Sequence, residues 1–285
     1  MNNADKNQLK DVVFKYLGVF ASLIGIILLT IFIASIISDG LKRIDWQFLT
    51  SLPSRKADRA GILTAWTGSL WIFFLTALIS IPLGIAAAIY LEEYSKKNRL
   101  SRILEINITN LAGVPSVIYG ILGLEIFVRT WKLGGSLLAG AFTLSLLILP
   151  IIIVATREAI KAVPATIKEA SFGMGATKWQ TIWHQVLPSS AGGIATGVIL
   201  ALSRAVGEAA PVIVIGALAY VPFVAQSPMD EFTVLPIQIF NWVSRPDAGF
   251  ITNAAAGIII LLAVTFLLNG IAVYLRYRWQ RHLKW

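Results

Sequence analysis

Arg204 and Glu208 stand four residues apart in ALSRAVGEAAPVIVIGA, residues 201–217. They are the only charges between Ala191 and Val221. A charged side chain at the centre of a bilayer costs at least about 2.5–3.5 kcal/mol on insertion scales, so such residues normally face a bundle interior and mark a pathway. Arginine stays charged and presents a planar fork of donors, which matches the oxygens of a tetrahedral oxyanion. On a helix, Glu208 falls on the same face as Arg204. It would neutralise the guanidinium when no anion is present and compete with one that arrives. A weak, replaceable partner suits permeation, because a deep trap would hold the ion. Gly207 keeps the surface open, and Pro211 bends the outer half of the span. The same residues also read as an ion pair that locks two helices. The small neighbours Ser203, Ala205, Gly207, Ala209 and Ala210 fit either case, since they also let helices pack closely.

A second constellation runs from Glu169 to Pro188, EASFGMGATKWQTIWHQVLP, a polar interval between two apolar spans. Pro164 suits a first helical turn. Ile167, Ala170, Ser171 and Met174 then share one weakly apolar face. Gly173 and Gly175 break that helix, and Thr177 with Gln180 reads as a capping box opening another. Trp179, Ile182, Trp183 and Val186 repeat the spacing, and Pro188 is expected to end the helix. Two short amphipathic helices around a glycine hinge make a knob suited to a groove on another protein. The alternative is a loop whose helices lie on the lipid.

This stretch resembles the EAA loop of ABC-importer permeases. Glu169-Ala170-Ser171, then Gly175, then Leu187-Pro188 keep its spacing, with Ser171 where a third Ala is usual and Gln185 where Ile is usual. Arg204-Ala205-Val206-Gly207-Glu208-Ala209-Ala210-Pro211 is similar to the R-A-[IVL]-G-E-T-A-P signature of phosphate-importer permeases, with Ala209 for the usual Thr. YLEEY at 90–94, NLAGVPSVIYG at 110–120, TREAI at 156–160 and LPIQIFNW at 235–242 extend the likeness to the PstA-type subunit. The resemblance implies a type I ABC-importer permease fold. It implies a PstC-like sister permease, two PstB-like ATPases that bind ATP and Mg, and a PstS-like phosphate-binding protein outside. Glu169, Ala170, Gly173, Gly175, Leu187 and Pro188 would then couple the chain to the ATPase. Arg204, Glu208, Ser203, Gly207, Pro115 and Ser116 would line the phosphate pathway.

The elements that must hold these residues are membrane helices. The chain has 285 residues, 56% hydrophobic and only 14% charged, against about 25% charged in soluble domains. The fold class is all-α, a polytopic membrane protein with one permease domain over 1–285. Six spans are expected at 16–38, 60–91, 106–124, 133–156, 191–221 and 248–275, each long enough to cross the hydrocarbon. Residues 157–190 form the coupling loop. The third span carries Gly113, Pro115 and Gly120, so a kink is expected there. Glu125 and Arg129 are expected to pair just beyond it. LPIQIFNW is apolar enough to dip into the outer vestibule or pack on it.

The net charge of +9 could suggest nucleic acid, but the basic residues flank apolar spans and read as topology signals. With both ends on one side, 15 Lys and Arg fall on the proposed cytoplasmic side and 8 outside, which agrees with the positive-inside rule. His184 and His282 are expected at the membrane–water boundary. No cysteine is present, which excludes thiol catalysis and Cys-ligated metals. There is no GxxxxGK[ST] loop, so ATP hydrolysis and its cofactors belong to a partner. A permease for molybdate, sulfate or phosphonate is the nearest alternative. A membrane enzyme would need clustered His, Asp or Glu at one depth, and a pure scaffold would leave Arg204 idle.

Overall fold

The computed structural model describes residues 3–96, 98–217 and 220–280, with side chains from residue 12 onward except 275, 279 and 280. Lys97, His282 and the end of the basic tail lie outside the described residues. The described chain is helical, with one isolated bridge between Ser136 and Glu231. Among the described residues, five helices are long and apolar enough to cross a membrane, and a bent helix pair makes a sixth crossing if counted as one span.

The first helix, α1 (Asn3–Gly40), is unbroken over 38 residues and holds the expected first span. Its described side chains are nearly all exposed, and it packs mainly against the last helix, α12 (Gly249–Gln280). A short α2 (Trp46–Thr50) follows, its first turn capped by Asp45, which accepts from the Phe48 N–H at 2.6 Å. Arg43 holds this corner. It donates to Asn253, Gln47 and the carbonyls of Asp58 and Ala60, so this residue is structural as well as a topology charge.

The second span is α3 (Leu63–Ile89), closed by a wider π turn at Tyr90–Tyr94. The fourth is α6, which runs Leu137–Lys161 rather than 133–156 because the Ser136 hydroxyl caps it by accepting from Ala139 N–H. α6 is the most buried span and packs against α3 and α9 (Leu187–Gly207). Glycine notches set these contacts. A Cβ on Gly84 would meet Ile152 at 2.5 Å, one on Gly140 would meet Ile72 and Phe232 at 2.8 Å, and one on Gly197 would meet Ala155 at 2.2 Å. Helices in lipid gain no hydrophobic drive against each other, so this intimate backbone approach carries the packing.

Three expectations are corrected. The third span is not one helix over 106–124. It is α4 (Arg99–Leu111) and α5 (Ser116–Gly123, continued as a π helix to Thr130), bent by 106°. Pro115 has no N–H for the carbonyl four residues back, which is Leu111, the last residue of α4. The Tyr119 hydroxyl donates to that carbonyl at 2.7 Å. The fifth span is not continuous over 191–221. α9 ends at Gly207, Glu208 is extended, and α10 (Ala210–Val214) restarts the chain. The same rule applies, because Pro211 cannot bond the Gly207 carbonyl. At its other end the fifth span begins earlier, since Lys178–Gly207 runs as one 30-residue crossing. Pro188 therefore does not stop the helix. Ahead of it Ile182–Val186 forms a π turn, with Leu187 N–H bonded to Ile182 O, and the wider turn makes room for the ring.

LPIQIFNW forms α11 (Leu235–Val243), packed on α12 and the start of α3. Leu235, Ile239 and Trp242 enter a core with Phe48, Ile62 and Phe250, so this stretch packs on the bundle. The two interrupted spans meet where α5 crosses α10. There a Cβ on Gly120 would stand 2.8 Å from Pro211 Cα and 2.9 Å from Val214 Cβ. Gly120→Leu should cost about 2 kcal/mol by overpacking and lower the detergent melting temperature by about 5 °C. Gly18→Leu, with nothing within 4 Å of the added carbon, should leave it unchanged.

Candidate functional site

The break after Gly207 decides where Arg204 sits. It lies in the last turn of α9 rather than mid-helix, where free carbonyls and the helix dipole favour a cation. Its Nε donates to Glu208 Oε1 at 3.2 Å, so the pair left open by the sequence does form. The arginine side chain is 39% exposed and the glutamate 19%. Glu208 turns inward over a small closed pocket with Ser69 and Ile72 of α3, Leu144 of α6, and Val234. Arg204 turns outward beside Gly207, where a Cβ would meet open space. The guanidinium is thus neither buried nor fully engaged. Among the described residues Glu208 takes only its Nε, which leaves the terminal N–H donors of the fork for an anion.

The other expected pathway residues separate. The Ser203 hydroxyl lies 2.7 Å from Ile199 O and 2.6 Å from Asn269 Oδ1 of α12, with one proton to share between them, and this contact ties α9 to α12. Pro115 is exposed at the α4–α5 break, and Ser116 opens α5 half-buried. Among the described residues Ser116 makes no side-chain hydrogen bond. The link to the arginine is Tyr119, which packs with Ala201 and Ala205 of α9 and lies within electrostatic reach of Arg204.

At the other end of α9 the knob is formed as expected in outline. α7 spans Ala165–Gly173 and α8 spans Lys178–Thr181, with the Thr177–Gln180 capping box complete. Gly175 takes φ +83°, a conformation that suits glycine and reverses the chain between them. Ser171, the departure from the EAA pattern, hydrogen-bonds Thr181 Oγ1 at 2.9 Å and braces the two helices. Glu169, Ala170 and Gly173 are exposed, and Met174 projects furthest at 88% exposure. The expected apolar face of the second helix divides in two. Ile182 and Val186 are buried, whereas Trp179 and Trp183 are exposed and stacked at 5.7 Å. A groove between the helices is lined by Ile167, Ala170, Met174, Gln180 and His184. Leu187 and Pro188 begin α9 one π turn further along and do not line it.

Two charged contacts escaped the sequence reading. Arg157, 7% exposed, donates to Glu92 at 3.3 Å and Glu105 at 2.7 Å, which joins α6 to the turn that closes α3 and to the middle of α4. Glu93 pairs with Lys168 of the knob. The available signal was two adjacent carboxylates, Glu92 and Glu93, in a loop otherwise rich in Lys and Arg. Glu125 and Arg129 do pair, at 3.0 Å on an exposed surface.

Residues 80–281 match the model of the binding-protein-dependent transport system inner membrane component. The chain belongs to this family. It is 32% identical over 263 residues to the "Probable ABC transporter permease protein YqgI" of Bacillus subtilis, covering 87% of this chain and 89% of that one. It is 30% identical over 264 residues to the "Phosphate transport system permease protein PstA" of Yersinia pestis, covering 92% and 88%. Among solved structures, the bacterial alginate ABC transporter bound to its pentasaccharide-loaded periplasmic protein includes a chain of the same fold. The TM-score is 0.68 at 16% identity, over 94% of this chain and 96% of that one. The protein is therefore a multi-pass permease subunit of an ABC transporter, with the type I importer permease fold, and not an enzyme in its own right.

Proposed function

We propose that this permease forms half of a phosphate pathway in an ATP-driven importer. The observation that carries the reading is the Arg204–Glu208 pair, half-open at the broken end of α9. It supplies a permanent cation with free donors and a carboxylate that holds it loosely. Kinship with PstA proteins supports phosphate as the anion. A PstC-like sister subunit completes the pathway, two PstB-like ATPases holding ATP and Mg grip the knobs, and a PstS-like binding protein delivers phosphate. The knob and both chain ends face the cytoplasm of a bacterium, in keeping with the distribution of Lys and Arg. ATP closes the ATPases, the knob moves as a rigid piece, and α6 and α9 carry the site with Arg204 from one side of the membrane to the other.

Uptake of labelled phosphate by the assembled importer, challenged with other oxyanions, tests this reading. Unlabelled phosphate should abolish the signal, and excess sulfate, molybdate or phosphonate should leave it intact. A better competitor than phosphate would move the assignment to that anion. Glu208 gives a finer test. A protonated phosphate donates a hydrogen bond that Glu208 accepts, whereas sulfate has no proton to give. Gln still accepts through its carbonyl oxygen but without the charge, which is worth about 1 kcal/mol in such a bond, so Glu208→Gln should reduce phosphate-over-sulfate preference by about fivefold. An unchanged preference would remove Glu208 from the filter and leave selection to the binding protein.

A further inference from the structure

The knob is joined through the backbone only to α6 and α9, yet its polar contacts reach a third span. α3 ends in the π turn Tyr90–Tyr94, which presents Glu92 and Glu93 to different neighbours. Glu92 faces Arg157 on α6. Glu93 Oε1 meets Lys168 Nζ of α7 at 2.5 Å, with the two side chains only 11% and 24% exposed. On the far side of the glycine turn, Lys178 at the start of α8 donates to the Glu93 carbonyl oxygen and lies 4.9 Å over the Tyr94 ring. The end of α3 is thus gripped by both arms of the knob. Ile89 adds apolar contact with Ile160, Val163 and Val186 beneath them.

This contact shares its shielding with the Arg157–Glu92 pair, which ties the same turn to α6, and differs from the surface pair nearby. Lys161–Glu158 lies within one helix and is 43% and 65% exposed, so it is screened and worth little. The Glu93–Lys168 pair is largely shielded from water and bridges elements 75 residues apart, and such pairs resist screening. The opposite end of α3 matters too. Ser69 and Ile72 line the pocket beneath Glu208. α3 therefore reaches from the knob at one end to the residues packed under Glu208 at the other.

The geometry points to Glu93 as a coupling residue: it fastens the knob to α3, so that α3 is driven with the knob and carries the wall of the Glu208 pocket. The inference rests on the knob being the ATPase contact. Its specific content is that the knob is fastened to the packed block of α3, α6 and α9 at the end of α3, and that the Glu93–Lys168 pair is that fastening.

The test uses the assembled importer in proteoliposomes, with phosphate uptake and ATP hydrolysis measured together. Coupling energies between sites typically correspond to about 5–150-fold. Glu93→Gln and Lys168→Gln should each lower phosphate moved per ATP by about tenfold, with the ATPase co-purifying as in the unmodified complex. Because the chain has no cysteine, Glu93→Cys and Lys168→Cys can be bridged by a short bifunctional thiol reagent. The unbridged double variant should be uncoupled and bridging should restore uptake per ATP, since the two ends travel together. Three results would overturn the proposal: single variants with unchanged uptake per ATP, a bridge that blocks uptake, or loss of the ATPase in step with loss of uptake. The last would reduce Glu93 to a prop for the knob's shape. Failure of the knob as the ATPase contact looks different: Met174→Asp would then leave ATPase binding intact.

Discussion

Arg204→Gln should cut phosphate uptake by about 30-fold or more, while the permease still assembles and still binds its ATPase. The magnitude follows from removing one partner of a charged hydrogen-bonded contact, worth about 2–5 kcal/mol, or at least a factor of about 30 on the affinity scale. The expectation that assembly survives comes from the geometry. Among the described residues Arg204 has a single charged partner, Glu208, and a side chain 39% exposed. It crosses no helix interface of its own, whereas the neighbouring Ser203 ties α9 to α12. Gln keeps a hydrogen-bond donor but loses the charge and the fork. Uptake in proteoliposomes, set against co-purification of the ATPase, separates the possibilities. A variant that transports normally would show that the anion passes elsewhere. One that falls apart would show that the pair is a structural lock, the alternative its sequence leaves open. Lys at this position should recover little, because a point charge cannot bind two oxygens in a plane.

The second large effect is expected at the opposite end of α9. Met174→Asp should weaken ATPase binding by about 30-fold or more, the loss typical of an interface hot spot at about 2 kcal/mol. Met174 is 88% exposed at the tip of the knob. It borders a groove shared with Ile167, Ala170 and His184. A flexible thioether suits insertion into another protein's cleft, and a carboxylate there would have to be desolvated without a partner. Met229→Asp makes the control, because Met229 is also exposed, at 53%, but in the segment preceding α11 at the other end of the bundle. Titrating purified ATPase onto the detergent-solubilised permease pair gives the comparison. Equal binding by the two variants would show that the knob is not the ATPase contact.

The knob was legible in the sequence because its determinants are local. A glycine at positive φ, a Thr–Gln capping box and a run at helical spacing each act within four residues. The spans were legible by length and hydropathy, and the charge pair by its cost. What stayed hidden depended on the fold. Pro188 and Pro211 obey one rule and have opposite outcomes. The helix around Pro188 absorbs the ring with a π turn, whereas the chain before Pro211 opens and α10 restarts against Gly120. Nothing within a few residues of either proline dictates which will happen. Arg157 shows the same limit. Counted by sign it is one more topology charge, but two carboxylates from distant segments, Glu92 and Glu105, make it the rivet between three helices. The face expected for Trp179, Ile182, Trp183 and Val186 divided along its two i, i+4 rows, with Ile182 and Val186 turned to the bundle and the two tryptophans turned out.

The glycine notches along α6 limit how this subunit can change shape. With Ile152 seated against Gly84, Ile72 against Gly140 and Ala155 against Gly197, α6 cannot turn about its own axis without driving side chains into backbone. α3, α6 and α9 are keyed together like the wards of a lock, with no bearing surface among them. A large movement of this subunit would therefore carry α3, α6 and α9 together, as one solid door.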